Sequence, residues 1–180
     1  MTGIAGRAWR QLGIAAFNIV ATHVPSHLVR LGVLRLWGAR IGAGTSIGRG
    51  TSILDIDRLV IGENCSIGFR CFFDARGGIT IGDDVAIASD THIITAYHLP
   101  QSDTFEAVEE PVTIGDHAWL ASRTTVVAGV SIGRGAVVGA CSLVRTDVAA
   151  MTIVAGVPAV VRGQRTSSLA YSTRFRRLFY

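Results

Sequence analysis

Between Ile41 and Val144 an aliphatic or Phe residue returns every six residues. It falls at Ile41, Ile47 and Ile53, then Ile61, Ile67 and Phe73, then Ile81, Ile87, Ile93 and Leu99. After an interruption it resumes at Ile114, Leu120, Val126, Ile132, Val138 and Val144, and the step between the first three groups widens to eight around Arg58 and Gly77. The next residue is often Gly (Gly42, Gly48, Gly62, Gly68, Gly82, Gly115, Gly133, Gly139) and twice more Ala (Ala88, Ala121). A period of six fits neither a helix at 3.6 nor a continuous strand at 2. It fits a short strand, a tight corner and the next strand, so that three hexads close one triangular coil. The aliphatic points inward, and its neighbour is small because the backbone bends there. Each coil buries its face on the coils either side, which makes the chain a mainly β parallel solenoid.

The rest of the chain is arranged around that core. Residues 1–40 read as a helical cap, 41–161 as the solenoid with an excursion at 100–113, and 162–180 as a basic tail. In the cap, Trp9, Leu12, Ala16 and Ile19 share one helical face. Pro25 and Ser26 start a second helix carrying Leu28, Leu31, Leu34 and Trp37, with Gly38 after it. Such helices cover the open edge of a first coil, and with Arg7, Arg10, Arg30 and Arg35 beside Trp and Leu they also suit a membrane surface. Pro158 reads as a stop to the solenoid, and the tail as a short amphipathic helix or a frayed end.

Charge follows the same division. Residues 1–40 hold five Arg and no acid, 41–161 seven Arg and thirteen acids, and 162–180 five Arg and no acid. The three parts carry +5, −6 and +5, which sum to the net +4. Basic ends on an acidic body imply contact with something anionic; a peripheral membrane contact is the form expected, and nucleic acid is not. Cys65, Cys71 and Cys141 lack metal or redox spacing and read as small, reduced fillers in a cytoplasmic protein. The stretch Gly3–Thr22 lacks an apolar core followed by a small-residue cleavage site, and its run Leu12–Ala21 is too short to span a bilayer.

Departures from a structural repeat are where function concentrates. Asp74 stands where the hexad expects Gly. His92 and His98 precede inward positions, and the excursion carries Asp103, Glu106, Glu109 and Glu110. Long loops thrown from a regular solenoid commonly form lids or binding loops.

The hexads, the run Thr95-Ala96-Tyr97-His98, the excursion, then Ile114-Gly115-Asp116-His117-Ala118-Trp119-Leu120 and Val154-Ala155-Gly156-Val157-Pro158-Ala159 resemble the hexapeptide-repeat acyltransferases. Within them the sequence is most similar to sugar and surface-polysaccharide O-acetyltransferases, the relatives of galactoside and maltose acetyltransferase. The resemblance implies a left-handed parallel β-helix, a handedness that the residues themselves do not fix and that opposes the usual crossover preference. It also implies a homotrimer with acetyl-CoA between subunits and a sugar or oligosaccharide acceptor. By the same resemblance His98 is the catalytic base and Asp74 the carboxylate near the acceptor, with a corner Asp bonding its own backbone as the alternative; His92, one hexad before His98 and so on the adjacent face, is a second acceptor-side candidate. Trp119 lies beside the pantetheine arm, and Ala121, Ala140 and Ser142 bring backbone groups to the cofactor. Arg145 is the nearest candidate for the CoA phosphates, because Arg145-Thr146-Asp147 stands where members often read Thr-Lys-Asp; Arg162 sits one place early for the usual closing Arg.

Acetyl transfer from a thioester to a hydroxyl needs a base for the hydroxyl proton and donors for the oxyanion, and imidazole, which titrates near neutrality, suits the first task. Other readings stay open at this point: a different hydroxylated acceptor such as serine or an antibiotic, a metal enzyme of the γ-carbonic anhydrase type, and a non-enzymatic scaffold. The metal enzyme needs three converging His, and His92, His98 and His117 lack that family's closely spaced pair, so no metal is expected.

Overall fold

The hexads of the first two faces, and one of the third, turn their corners in the same way. In the structure, a computed structural model that describes residues 3–174, each aliphatic lies in a short strand with its side chain inside the prism. The residue three places on takes a left-handed backbone conformation: Gly44, Gly50, Asn64, Arg70, Asp84, Asp90, His117, Arg123, Gly129, Gly135 and Cys141. Gly, Asn and Asp adopt it readily; Arg, His and Cys are held in it by the coils on either side. The residue after it turns inward again, giving a second buried ladder of Thr45, Thr51, Cys65, Cys71, Val85, Thr91, Ala118, Thr124, Val130, Ala136 and Ser142. Its polar atoms satisfy corner carbonyls. Thr45 Oγ1 donates to Gly62 O at 2.7 Å, Thr124 Oγ1 to Ala121 O at 2.7 Å, and Cys65 Sγ to Gly82 O at 3.0 Å.

Cys65 and Cys71 are therefore the fillers expected of them, and burial pushes both thiols up to about 11. Cys141 is not: it occupies a left-handed corner and is exposed. The same hexad arithmetic that puts the other two at the inward position puts Cys141 one place earlier.

The three faces are parallel sheets. The first contains Arg40–Ile41, Leu59–Ile61, Ile79–Ile81, Val112–Ile114 and Ser131–Ile132. The second contains Ser46–Ile47, Ser66–Ile67, Ala86–Ile87, Trp119–Leu120, Val137–Val138 and Thr152–Ala155. The third contains Ser52–Leu54, Phe72–Asp74, His92–Ile94, Thr125–Val126 and Leu143–Val144. Register keeps like residues stacked, as in Ile47 on Ile67 on Ile87. Coils are joined by the N–H after each aliphatic: Gly42 N donates to Ile61 O, Gly62 N to Ile81 O and Gly82 N to Ile114 O, each at 2.8 Å.

The first coil has no predecessor to donate to it, and the N-terminal helices supply the missing donors. Helix α1 (Ile4–Ala15) continues through a π turn at Ala16–Val20 and a 3-10 turn at Ala21–His23, and α2 (His27–Leu36) follows Ser26. Arg35 Nη2 donates to Ile41 O at 2.9 Å and Arg30 Nε to Ile47 O at 2.8 Å. The Asn18 amide imitates a strand, donating to Ile53 O and accepting Ile53 N, both at 2.9 Å. The apolar face expected to pack in α1 does not: Gly6, Gly13 and Phe17 are buried, while Trp9, Leu12 and Ile19 are exposed. Glycine explains the rotation, because a Cβ on Gly13 would overlap the Trp37 ring. Trp37 instead crosses the helix, stacks on Trp9 at 5.2 Å and donates its Nε1–H to Trp9 O.

Beyond Ala155 the chain does not stop at Pro158. It reverses, and Val160–Gln164 pairs antiparallel with Thr152–Ala155. The tail is neither helical nor frayed as far as Arg174; Arg176 and Arg177 lie outside the described residues. It runs extended along one edge of the prism, crossing the left-handed corner of every coil. Arg165 N donates to Met151 O, and Arg165 Nη1 to Gly135 O and His117 O. The Tyr171 ring meets His117 edge-on at 5.3 Å, Thr173 Oγ1 donates to Asn64 O at 2.7 Å, and Arg174 lies beside Gly44.

The close stacking sets a test. A Cβ on Gly48 would lie 2.5 Å from Gly68 O, whereas one on Gly32, in α2, meets nothing within 4 Å. Gly48→Ala should lower stability by about 1–3 kcal/mol and Gly32→Ala raise it by about 0.5–1 kcal/mol. Thermal melts of the two variants that shift equally would contradict the coil spacing.

Candidate active site

The excursion is a hairpin, and it begins earlier than the sequence suggests. Ala96–His98 pairs antiparallel with Ala107–Glu109, with His98 opposite Ala107, so Leu99 belongs to the hairpin and not to the inward ladder. Val112–Ile114 is already back in the first face beside Ile79–Ile81. The hairpin is anchored by buried Thr95, whose Oγ1 donates to Asp74 O at 2.6 Å and accepts Gly77 N at 2.7 Å. Glu110 N closes the other side on Thr95 O at 2.9 Å.

The tip folds back on His98. Phe105, with φ +47°, carries its ring parallel to the imidazole at 4.3 Å and its carbonyl 2.7 Å from His98 Nδ1. A carbonyl only accepts, so Nδ1 carries the proton and the neutral ring keeps its lone pair on Nε2. His98 is exposed. A positioned imidazole with a free Nε2 can take a proton from a hydroxyl and return it to a leaving group. Phe105 is the residue that the sequence reading passed over; its signal is that it alone is aromatic among the acids of the loop.

Asp74 is 2 % exposed, and its carboxylate points at Arg76: Oδ1 accepts Nε at 2.8 Å and Oδ2 accepts Nη2 at 2.7 Å. Oδ1 also takes the Arg76 N–H at 3.3 Å, so the corner bonds its own backbone. Arg76 is half exposed, and it is the group this pair presents to solvent. Arg58 reaches from the preceding turn to Arg76 O and to Glu109 at the hairpin base. His92 is exposed on the third face between Phe72 and Thr125, with its ring edge-on to Phe72 at 5.8 Å.

Trp119 lies on the second face, between Ala86 and Val137 in register. It walls a shallow groove lined by the small residues Ser66, Gly68, Ala86, Ala88 and Ser122 and by the larger Phe69 and Ile87. Ala121 and exposed Ala140 follow at the next edge in successive coils, Ala121 N bonding Val138 O. Ser142 is buried; its Oγ accepts Gly156 N at 3.0 Å and its carbonyl accepts Thr125 N at 2.8 Å. Arg162 lies in the returning strand near Gly156, and Arg145 lines a separate hollow with Thr146, Pro158 and Ala159. Thus the structure gathers Trp119, Ala121, Ala140 and Arg162 along one side, while His92 and the His98 hairpin leave from the next. Among the described residues no three of His, Cys, Asp and Glu are grouped to hold a metal ion.

Comparison with known proteins places this arrangement. Residues 58–89 match the model described as a hexapeptide repeat of succinyl-transferase, and 111–146 the model for the bacterial transferase hexapeptide. A protein of Escherichia coli (strain K12) named "Putative colanic acid biosynthesis acetyltransferase WcaF" is 35 % identical over 136 residues, spanning 76 % of this chain and 75 % of that protein. The chain belongs to the hexapeptide-repeat acyltransferases. Among solved structures, a maltose O-acetyltransferase from Clostridium difficile 630 is 25 % identical with a TM-score of 0.75, over 91 % of this chain and 88 % of that one. The hexapeptide-repeat acetyltransferase VCA0836 from Vibrio cholerae O1 biovar eltor, complexed with acetyl coenzyme A, has the same fold: its TM-score is 0.84 at 24 % identity over 92 % of both chains. The prism is accordingly the left-handed parallel β-helix of these enzymes.

Arg76→Ala would leave the Asp74 carboxylate buried without its cation, and should lower stability by about 1–3 kcal/mol. Adding Asp74→Asn should recover part of the loss, since a neutral amide is less costly to bury. An Arg76→Ala protein that unfolds at the parent denaturant midpoint would show that the pair holds nothing.

Proposed function

We propose that the chain is an acetyl-CoA-dependent O-acetyltransferase acting on a sugar hydroxyl in surface-polysaccharide biosynthesis. The observation that carries the reading is His98, presented where the first hairpin strand meets the tip, with Nδ1 tied to Phe105 O and Nε2 open. The relative named for colanic acid biosynthesis and the maltose O-acetyltransferase fold support the acceptor class.

In this reading His98 Nε2 takes the proton of the acceptor hydroxyl as its oxygen attacks the thioester carbonyl, and returns it to the departing thiol. The Phe105 carbonyl holds the ring in the required tautomer and orientation through those steps. Asp74 acts on the acceptor side by fixing Arg76, and His92 contributes from the adjacent face. The residues fit the cofactor in one respect visible in the fold: the groove beside Trp119 is cleared by Gly, Ala and Ser along most of its lining, with Phe69 and Ile87 as the larger apolar residues, which suits a thin pantetheine arm. Ala121 and Ala140 continue that clearance, Ser142 supports the turn at Gly156, and Arg145 and Arg162 supply charge for the phosphates.

A single prism is convex, whereas substrate sites are concave. The groove is therefore completed by a neighbouring chain in a homotrimer, with the enzyme working in the cytoplasm and its basic ends toward the membrane.

His98→Ala should lower turnover roughly 10²- to 10⁴-fold while acetyl-CoA binding is largely kept. Trp119→Ala should mainly weaken the cofactor. Co-expressing the two variants should restore activity above either alone, because mixed trimers contain some intact sites. Near-full turnover of His98→Ala would end the catalytic assignment; absence of rescue would end the shared site alone.

A further inference from the structure

The N-terminal helices have two faces with opposite duties. The inner face caps the first coil through Asn18, Arg30 and Arg35. The outer face leaves Ile4, Leu12, Ile19, Val20, Leu28 and Leu36 between 55 % and 79 % exposed. Large apolar side chains grouped in this way on a small protein mark an interaction surface. The charge around them has one sign. The first acidic residue of the chain is Asp55, so residues 1–54 contain none. Asp57, an acid of the first coil that reaches the cap, is already paired with Arg10 at 2.8 Å. Arg7, in α1, and Arg40, four residues after α2 ends, are both exposed.

The tail brings the second basic, acid-free segment to this same end. Extended along the prism edge, it carries Thr173 to Asn64 in the second coil and Arg174 to Gly44 in the first. From there the sequence adds Arg176 and Arg177 and no acid. Arg174 thus stands at the end of the solenoid that the basic cap covers, although like charge opposes bringing it there.

We propose that this end is a docking surface for an anionic lipid bilayer. Exposed aliphatic residues on a helix, flanked by arginines and a Trp pair, match what an acyl boundary and anionic headgroups require. A second copy of the chain is the poorer occupant, because it would set arginine against arginine with no acid on either side. The inference deepens the membrane-side placement given above and does not depend on acyl transfer. In a trimer with parallel prisms all three caps would face one way, and binding would be multivalent.

The test is co-sedimentation of the full chain with vesicles of phosphatidylglycerol mixed with phosphatidylcholine, and of phosphatidylcholine alone, at low and high salt. The parent should bind the anionic vesicles, release at high salt, and leave the neutral ones. Arg7→Gln with Arg40→Gln should weaken binding at least about tenfold, as loss of two basic contacts implies, and Ile19→Glu with Leu28→Glu should abolish it. All four side chains are exposed, so circular dichroism, oligomeric size and turnover on a soluble acceptor should stay at parent values. Parent protein that ignores anionic vesicles, or variants that bind as the parent does, would overturn the proposal. So would the Ile19→Glu, Leu28→Glu variant losing oligomeric size at unchanged vesicle binding, since a second copy would then be the occupant. Turnover is read separately, so a failure of the catalytic reading leaves this result standing.

Discussion

The structure depends on one backbone hydrogen bond repeated at every corner: the N–H after an inward aliphatic donates to the carbonyl of the aliphatic one coil further on. That bond demands parallel strands in strict register, and at the corners after the first two faces the close approach of the next coil demands that the residue after the aliphatic have little or no side chain. Glycine after isoleucine is thus a consequence of coil spacing. The same bond creates an obligation at the first coil, where Ile41, Ile47 and Ile53 offer carbonyls to a coil that does not exist. Arg35, Arg30 and Asn18 meet it, one on each face. An unmet row would be a template for pairing with another chain.

Much of this was legible before any coordinates. The sixfold spacing of Ile41, Ile47 and Ile53 specifies the prism because few backbone geometries return a side chain inward at that interval. The second inward ladder was less visible, since Thr, Cys, Val, Ala and Ser share smallness and little else. The face of α1 was misread for a physical reason: periodicity ranks residues by hydrophobicity, and here Gly13 wins the packed side by admitting the Trp37 ring. Leu99 misled in a similar way, falling on the sixfold count although the chain had already left the solenoid at Ala96.

The site was legible in its residue types and illegible in its partners. His98 could be singled out from its neighbours in sequence, but the contact that orients it comes from Phe105, across a turn of irregular length. Asp74 could be seen to break the hexad; that its carboxylate would turn to Arg76 depends on burial, which a motif does not report. Trp119 and His98 stand on neighbouring sides of one prism, and the distance between their roles is what makes a second chain necessary to the proposed chemistry.

The edge-running tail has a consequence for how the molecule comes apart. A solenoid whose coils touch only their neighbours behaves as a one-dimensional array, able to unzip from either end one coil at a time. Here residues 165–174 run across the coils from Met151 to Gly44, so opening either end also requires detaching the tail from the coils at that end. Melting is thereby made more concerted, because the tail ties together coils that are not neighbours.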